Sequence, residues 1–239
     1  MRSLQPQKTL MDQVYETILD AICDGTLKPG DRVAQDDVAS RLKVSRQPVT
    51  HALAVLKSQG FLESAGGQRL TVSTIDPATF EAIYQLRSAI EPLAVRLASP
   101  RLDPSAFRRG CAIIDRGRKM LLAGDHAGVA KADVDFHIFI HRLSGNALIE
   151  ETIRLHWWHL RRALAHFTLH VGMSDIVWDE HQHILDGMMH GDVDAAAETM
   201  RRHLVGAAER VKKNNSSKTL TPVRRMAQKK KRASLKNEQ

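Results

Sequence analysis

The chain contains no apolar run approaching the roughly 20 residues that a bilayer crossing needs, so a membrane-spanning helix is not expected. Its opening stretch, MRSLQPQKTLMDQVYE, lacks the apolar core of a signal peptide. Cysteine is scarce. Cys23 and Cys111 stand far apart without CxxC spacing, and they read as reduced thiols of a cytoplasmic protein. There is no HExxH, no glycine-rich phosphate loop and no nucleophile elbow, which removes the usual local signatures of zinc peptidases, nucleotide-binding proteins and serine hydrolases. Net positive charge is also confined to one segment. Residues 212–239 hold ten Lys and Arg against one Glu, a net +9 in a chain of net +8, so the rest carries about −1. The basic balance therefore belongs to the tail, and alone it is no evidence for a nucleic-acid surface.

What is present is two hydrophobic patterns. A length of 239 residues with 43% hydrophobic content supports two domains. Residues 1–9 read as a flexible arm. Leu10, Val14, Ile18, Ala21 and Ile22 recur at helical spacing and predict a helix over 10–24 that stops at Gly25. A short helix fits 35–42. After the turn KVS, Ser45 suits the N-cap of a third helix, 46–59, with Pro48 tolerated in its first turn. FLESAGGQRLTVST then reads as a hairpin around Gly66-Gly67. Helix, helix, turn, helix, hairpin predicts a winged helix-turn-helix over residues 10–75.

From residue 76 onward the strand signals vanish. Asp76-Pro77 and Asp103-Pro104 look like N-caps followed by a first-turn proline; Asp125, Ser174 and Asp192 are further cap candidates. Helices fit 77–99, 104–123, 126–144, 147–170, 175–190 and 193–212, with Pro92 a candidate kink. Residues 76–212 are therefore expected to form an all-α antiparallel helical bundle, and the fold class is mainly α. Residues 213–239 read as a basic disordered tail, able to add non-specific phosphate affinity.

In the helix 46–59, Val49, Ala52, Leu53 and Leu56 form one apolar face at i, i+3, i+4, i+7. The opposite face presents Arg46, Gln47, Thr50, His51 and Lys57. Packed through the first face, such a helix offers the second to a major groove. Arg46, Gln47, Thr50 and His51 are the candidate DNA contacts, with Arg69 beside the hairpin tip as a fifth.

The stretch GTLKPGDRVAQDDVASRLKVSRQPVTHALAVLKSQGFL resembles the winged helix-turn-helix of GntR-family transcription regulators. LRSAIEPLAVRLA, ADVDFHIFIHRLSGN and EHQHILDGMMHGDVDAAAETMRRHL resemble the helical ligand-binding domain of the FadR-like, FCD branch. The resemblance spans about residues 10–212 with the segments in the family's order. It implies a homodimeric, effector-controlled regulator binding operator DNA, and a metal site as in many FCD members. Relatives often carry SR-x-P-V-R-E-A-L; here Thr50 and His51 replace the usual arginine and glutamate, and Asp36-Asp37 stand where a basic residue is common. An altered operator and weaker intrinsic affinity are expected.

Asp133 and His137 lie four residues apart and so share a helix face. By resemblance they are metal ligands, joined by His181 and His203. Three imidazoles and one carboxylate suit a divalent ion, zinc first, with nickel or manganese as alternatives. On 147–170, His159, Arg162, His166 and His170 fall along one face; His159 and Arg162 are candidate effector contacts. Arg87 matches a family position that often faces the pocket, where it would pair with a carboxylate metabolite; with Glu91 four residues on, it equally suits a structural ion pair. The expected function is a metal-containing, effector-responsive, sequence-specific regulator, a repressor and not an enzyme. The alternative is a metal-dependent hydrolase using the Asp/His cluster.

Overall fold

The computed structural model describes residues 8–67, 69–74, 76–171 and 175–217. Most of the expected arm, the Ser174 cap and the tail beyond 217 lie outside the described residues.

The N-terminal unit forms around α1 (Leu10–Cys23), α2 (Gln35–Leu42) and α3 (Arg46–Ser58). A capping box starts α1: Thr9 Oγ1 accepts from the Asp12 amide and the Asp12 carboxylate accepts from the Thr9 amide, satisfying two donors that the first turn leaves open. Lys43 closes α2 in the left-handed region at φ 55°, a conformation that costs a non-glycine residue about 1 kcal/mol. Its backbone N–H turns back onto Ala39 and Ser40 carbonyls, and Val44 follows onto Ala39. This tight reversal sets α3 against α2. Val49, Ala52, Leu53 and Leu56 are buried, as the apolar face requires.

The expected hairpin is β2 (Leu62–Ser64) paired antiparallel with β3 (Leu70–Val72), Leu62 opposite Val72. A further strand, β1 (Arg32–Val33), pairs with the other edge of β3, giving the order β1-β3-β2. Two residues are too few for a period-two pattern, so this strand was not expected.

The second unit holds α4 (Pro77–Ala98), a 3-10 turn at Ser99–Arg101, α5 (Pro104–Leu122), α6 (His126–Ser144), α7 (Ala147–Val171), α8 (Asp175–Met189) and α9 (Val193–Ser217). Asp76, Asp103 and Asp125 cap their helices with side-chain oxygens. α4 runs through Pro92, within the expected span. One boundary differs from expectation: α9 runs on to Ser217, into the segment read as tail. The core packs α4 against α9, α6 and α7, α5 against α6 and α8, and α8 against α9. Short connections make α5 and α6, α6 and α7, and α8 and α9 antiparallel neighbours. Gly117 lets Trp178 lie on α5: a Cβ there would stand 2.1 Å from the indole. Trp178 in turn packs edge-on against His181, with ring centroids 5.3 Å apart.

The two units meet along α1 and α7. Trp158 packs on the winged-helix core, Arg161 pairs with Asp20 at 2.6 Å, and the Cys23 thiol faces the Trp158 carbonyl at 3.5 Å. Burial pushes that thiol up to about 12, so it is an inert packing group.

Candidate metal centre and nucleic-acid interface

α6, α8 and α9 bring Asp133, His137, His181 and His203 together from three points in the sequence. One ligand-type atom from each lies within 4.8 Å of the others, and all four residues are buried. That spread is close to the diameter of a coordination shell built from ligands at about 2.0–2.2 Å. Each of two imidazoles is held from behind by a carboxylate. His137 Nδ1 donates to Glu91 Oε2 at 2.5 Å, and His203 Nδ1 donates to Glu180 Oε2 at 2.7 Å. With those protons fixed on Nδ1, both Nε2 lone pairs face the centre. There His181 Nε2 stands 3.3 Å from His203 Nε2 and 3.7 Å from Asp133 Oδ1. His137 Nε2 and His181 Nδ1 are buried without a hydrogen-bond partner. Lone pairs converging at such distances, with an orphaned buried nitrogen among them, are an unfavourable arrangement until a cation is shared. The donor set therefore fits a divalent ion.

The electrostatics agree. Burial pushes His137 down to about 4, against the opposing pull of Glu91. Burial, then the neighbouring His203 and His137, pushes His181 well below its ordinary value. Both rings are uncharged at neutral pH, the form that binds metal. Burial alone would raise the Glu91 carboxyl, but Arg87 and His137 outweigh it and hold it well below the usual range. Arg87 Nε donates to Glu91 Oε1 at 2.5 Å, its guanidinium lies over Tyr84 and Trp157, and one Nη is buried without a partner.

Glu91 thus joins Arg87 to His137, so both sequence readings of Arg87 meet at one place: it is ion-paired, and it stands beside the cluster. Glu180 and the buried His141, 3.8 Å from Glu91, complete the surroundings. Sequence reasoning missed the bracing role of both glutamates. The available signal was that a ligating histidine commonly gives its second nitrogen to a carboxylate, and Glu180 directly precedes His181.

His159 and Arg162, the other candidate effector contacts, do not border this cluster. His159 stacks on Phe61 with centroids 4.0 Å apart and donates Nε2–H to the Gln59 carbonyl at 3.0 Å. Arg162 reaches the Ser73 and Thr74 carbonyls. Both belong to the face of α7 that packs on the winged helix; the opposite face carries Trp157 towards Arg87. The side chains of His166 and His170 lie outside the described residues. Burial first, then Arg162, pushes His159 from an ordinary 6.5 down to about 4. A depressed histidine stabilises the fold above its unfolded pKa and loses that contribution as pH falls through the folded one. Docking of the two units is therefore expected to be firm above pH 6.5 and to loosen between about 6.5 and 4. Limited proteolysis across that range tests this; His159→Phe, which keeps the stack and cannot charge, should flatten the profile.

At the other end, Arg46, Gln47, Thr50 and His51 are exposed on α3, and Arg69 is exposed beyond the Gly66-Gly67 tip. Gln35 donates to Thr50 Oγ1 at 2.6 Å, and Thr50 Oγ1 donates to the Arg46 carbonyl at 2.9 Å. Arg46 Nε pairs with Asp36 at 2.9 Å on the open surface. A phosphate or a guanine edge would have to compete with that carboxylate. Such an exposed pair is worth about 0–1 kcal/mol. Asp36→Asn should therefore tighten DNA binding up to about fivefold at low salt, while costing α2 about 0.3–1 kcal/mol of first-turn dipole interaction. A fluorescence-anisotropy titration at two salt concentrations reads the first effect, and thermal melting the second.

Comparison with known proteins agrees with this architecture. Residues 10–72 match the model of bacterial regulatory proteins of the gntR family, and residues 82–206 match the FCD domain. The chain belongs to the GntR family of transcriptional regulators, in the branch that carries an FCD domain, and is a DNA-binding regulator. It is 29% identical over 199 residues to an uncharacterized HTH-type transcriptional regulator from an unstable DNA locus of Streptomyces ambofaciens, covering 82% of this chain and 83% of that one. It is 27% identical over 201 residues to a probable D-xylose utilization operon transcriptional repressor of Paenarthrobacter nicotinovorans, covering 82% and 86%. Among solved structures, E. coli McbR/YncC superposes with a TM-score of 0.76 at 20% identity, covering 87% of this chain and 99% of that one. The alternative reading as a hydrolase finds no support. The family is one of regulators, and the two glutamates nearest the cluster are both committed to imidazoles.

Proposed function

We propose that this chain is a metal-containing, effector-responsive repressor that binds an operator as a homodimer. The observation that carries the reading is the buried Asp133, His137, His181 and His203 cluster with Glu91 and Glu180 bracing it from behind. Asp133 and the three imidazoles would hold the ion, zinc in the first instance. When bound, the ion supplies a Lewis-acidic anchor for an effector carboxylate. Arg87, with its unpartnered Nη nearby, would orient that carboxylate.

α7 supports a route from sensor to reading head. Trp157 lies against Arg87, while Trp158, Arg161 and Arg162 hold the winged helix. An effector that favours one seating of Trp157 thereby favours one placement of the two reading helices in a dimer, and so shifts operator affinity. Arg46, Gln47, Thr50 and His51 are the proposed major-groove contacts, and Arg69 the wing contact to phosphate or minor groove.

Metal analysis of the purified protein, combined with selection of bound genomic fragments at physiological salt, tests the proposal. About one divalent ion per chain and a shared inverted repeat are expected. Arg46→Ala should weaken binding to that repeat by about 1–3 kcal/mol. A metal-free protein, or indiscriminate recovery of fragments, would overturn it.

A further inference from the structure

We infer that the junction between the two units holds a second ligand site, built for a small organic carboxylate and anchored by Arg162. The inference stands apart from the metal reading, because the site shares no residue with the cluster. A cavity of about 190 Å³ lies where the segment after β3 and the first turns of α4 meet α7. Arg162, His159, Thr79, Phe80, Ile83 and Ala163 are among its walls.

Arg162 is only 6% exposed, yet among the described residues no carboxylate forms an ion pair with it. Its Nη atoms reach the Ser73 carbonyl and Oγ, each at 3.3 Å, and the Thr74 carbonyl at 3.4 Å. These are long bonds for a cationic donor, which ordinarily closes to about 2.7–2.9 Å on an anion. Its Nε–H is buried and has no partner at all. A buried cation in neutral company is costly, and an oxyanion would relieve it.

Asp76, the acid at the cavity edge, is already engaged. Its two oxygens accept from the Ala78 and Thr79 amides and from Thr79 Oγ1. The remaining wall decides the chemistry. His159 is uncharged at neutral pH, the Thr79 hydroxyl already donates to Asp76, and Phe80, Ile83 and Ala163 are apolar. One cation beside an apolar patch suits a carboxylate on a short carbon chain better than a fully hydrated inorganic anion. At roughly 30 Å³ per water the volume equals about six waters, room for a few carbons. A carboxylate bridging Arg162 to the start of α4 would brace the link between reading head and bundle.

The test is calorimetric titration of the full-length protein with acetate, pyruvate, succinate and inorganic phosphate, as purified and again after chelation and dialysis. The expected result is one carboxylate site per chain whose affinity is the same before and after chelation. That affinity should fall at least tenfold in Arg162→Met. It should fall as far in Ala163→Leu, which fills the cavity and leaves the guanidinium in place. Binding that chelation abolishes would assign the carboxylate to the metal centre and overturn the inference. So would binding unchanged in both variants, binding of phosphate alone, or no binding of any probe.

Discussion

Glu91→Ala is expected to destabilise the metal-stripped protein by about 3–5 kcal/mol, because it leaves the Arg87 guanidinium buried without its counter-charge. For a chain of this length that corresponds to a fall of about 6–20 °C in the melting midpoint. Arg87 and Glu91 are 1% and 0% exposed, so neither solvent nor salt substitutes for the lost partner. The double variant Arg87→Met with Glu91→Leu removes both charges and should recover most of the loss, since an apolar pair of similar volume is well tolerated at buried ion-pair sites. Recovery of stability should not bring recovery of metal binding. His137 Nδ1 loses its acceptor in both proteins, and metal affinity should stay about 10–100-fold down. Melting curves and competitive metal titration on the same samples separate the two roles. A single variant that melts within about 1 °C of the parent would mean that the pair is not the structural keystone described above.

Metal loading should give the second large effect. Zinc at about a thousandfold excess over its dissociation constant adds about 4 kcal/mol by mass action, or about 8–16 °C in the midpoint. His181→Ala should abolish the shift, because it deletes the ring whose Nε2 faces both His203 and Asp133. Differential scanning calorimetry with and without zinc decides it. An equal rise in parent and variant would place the ion elsewhere.

The parts of this architecture that were legible in the sequence are those written in local chemistry. Asp76-Pro77 and Asp103-Pro104 fixed two helix starts because a capping acid followed by proline has few other uses. The faces of α3 followed from its period, and Asp133 with His137 from a four-residue step. Strand β1 escaped because two residues carry no period; its place comes from pairing with β3, a tertiary fact. The partners of His159 and Arg162 were not legible for a related reason. A helical face announces that something covers it, not what does, and in α7 two different units cover two faces. Asp36 was read as a lost DNA contact; its actual partner, Arg46, lies across the α2–α3 turn.

Trp157 and Trp158 are consecutive, yet one serves the bundle and the other the winged helix. Successive helical residues are separated by about 100° of rotation, so the two units are geared to one another through the phase of a single helix. Substitutions within either face of α7 act on one unit at a time. An inserted or deleted residue between Trp157 and Arg162 would instead turn everything beyond it by a fixed angle, putting the winged helix out of step with the bundle even if both remained folded. Length in this segment is therefore constrained more tightly than composition.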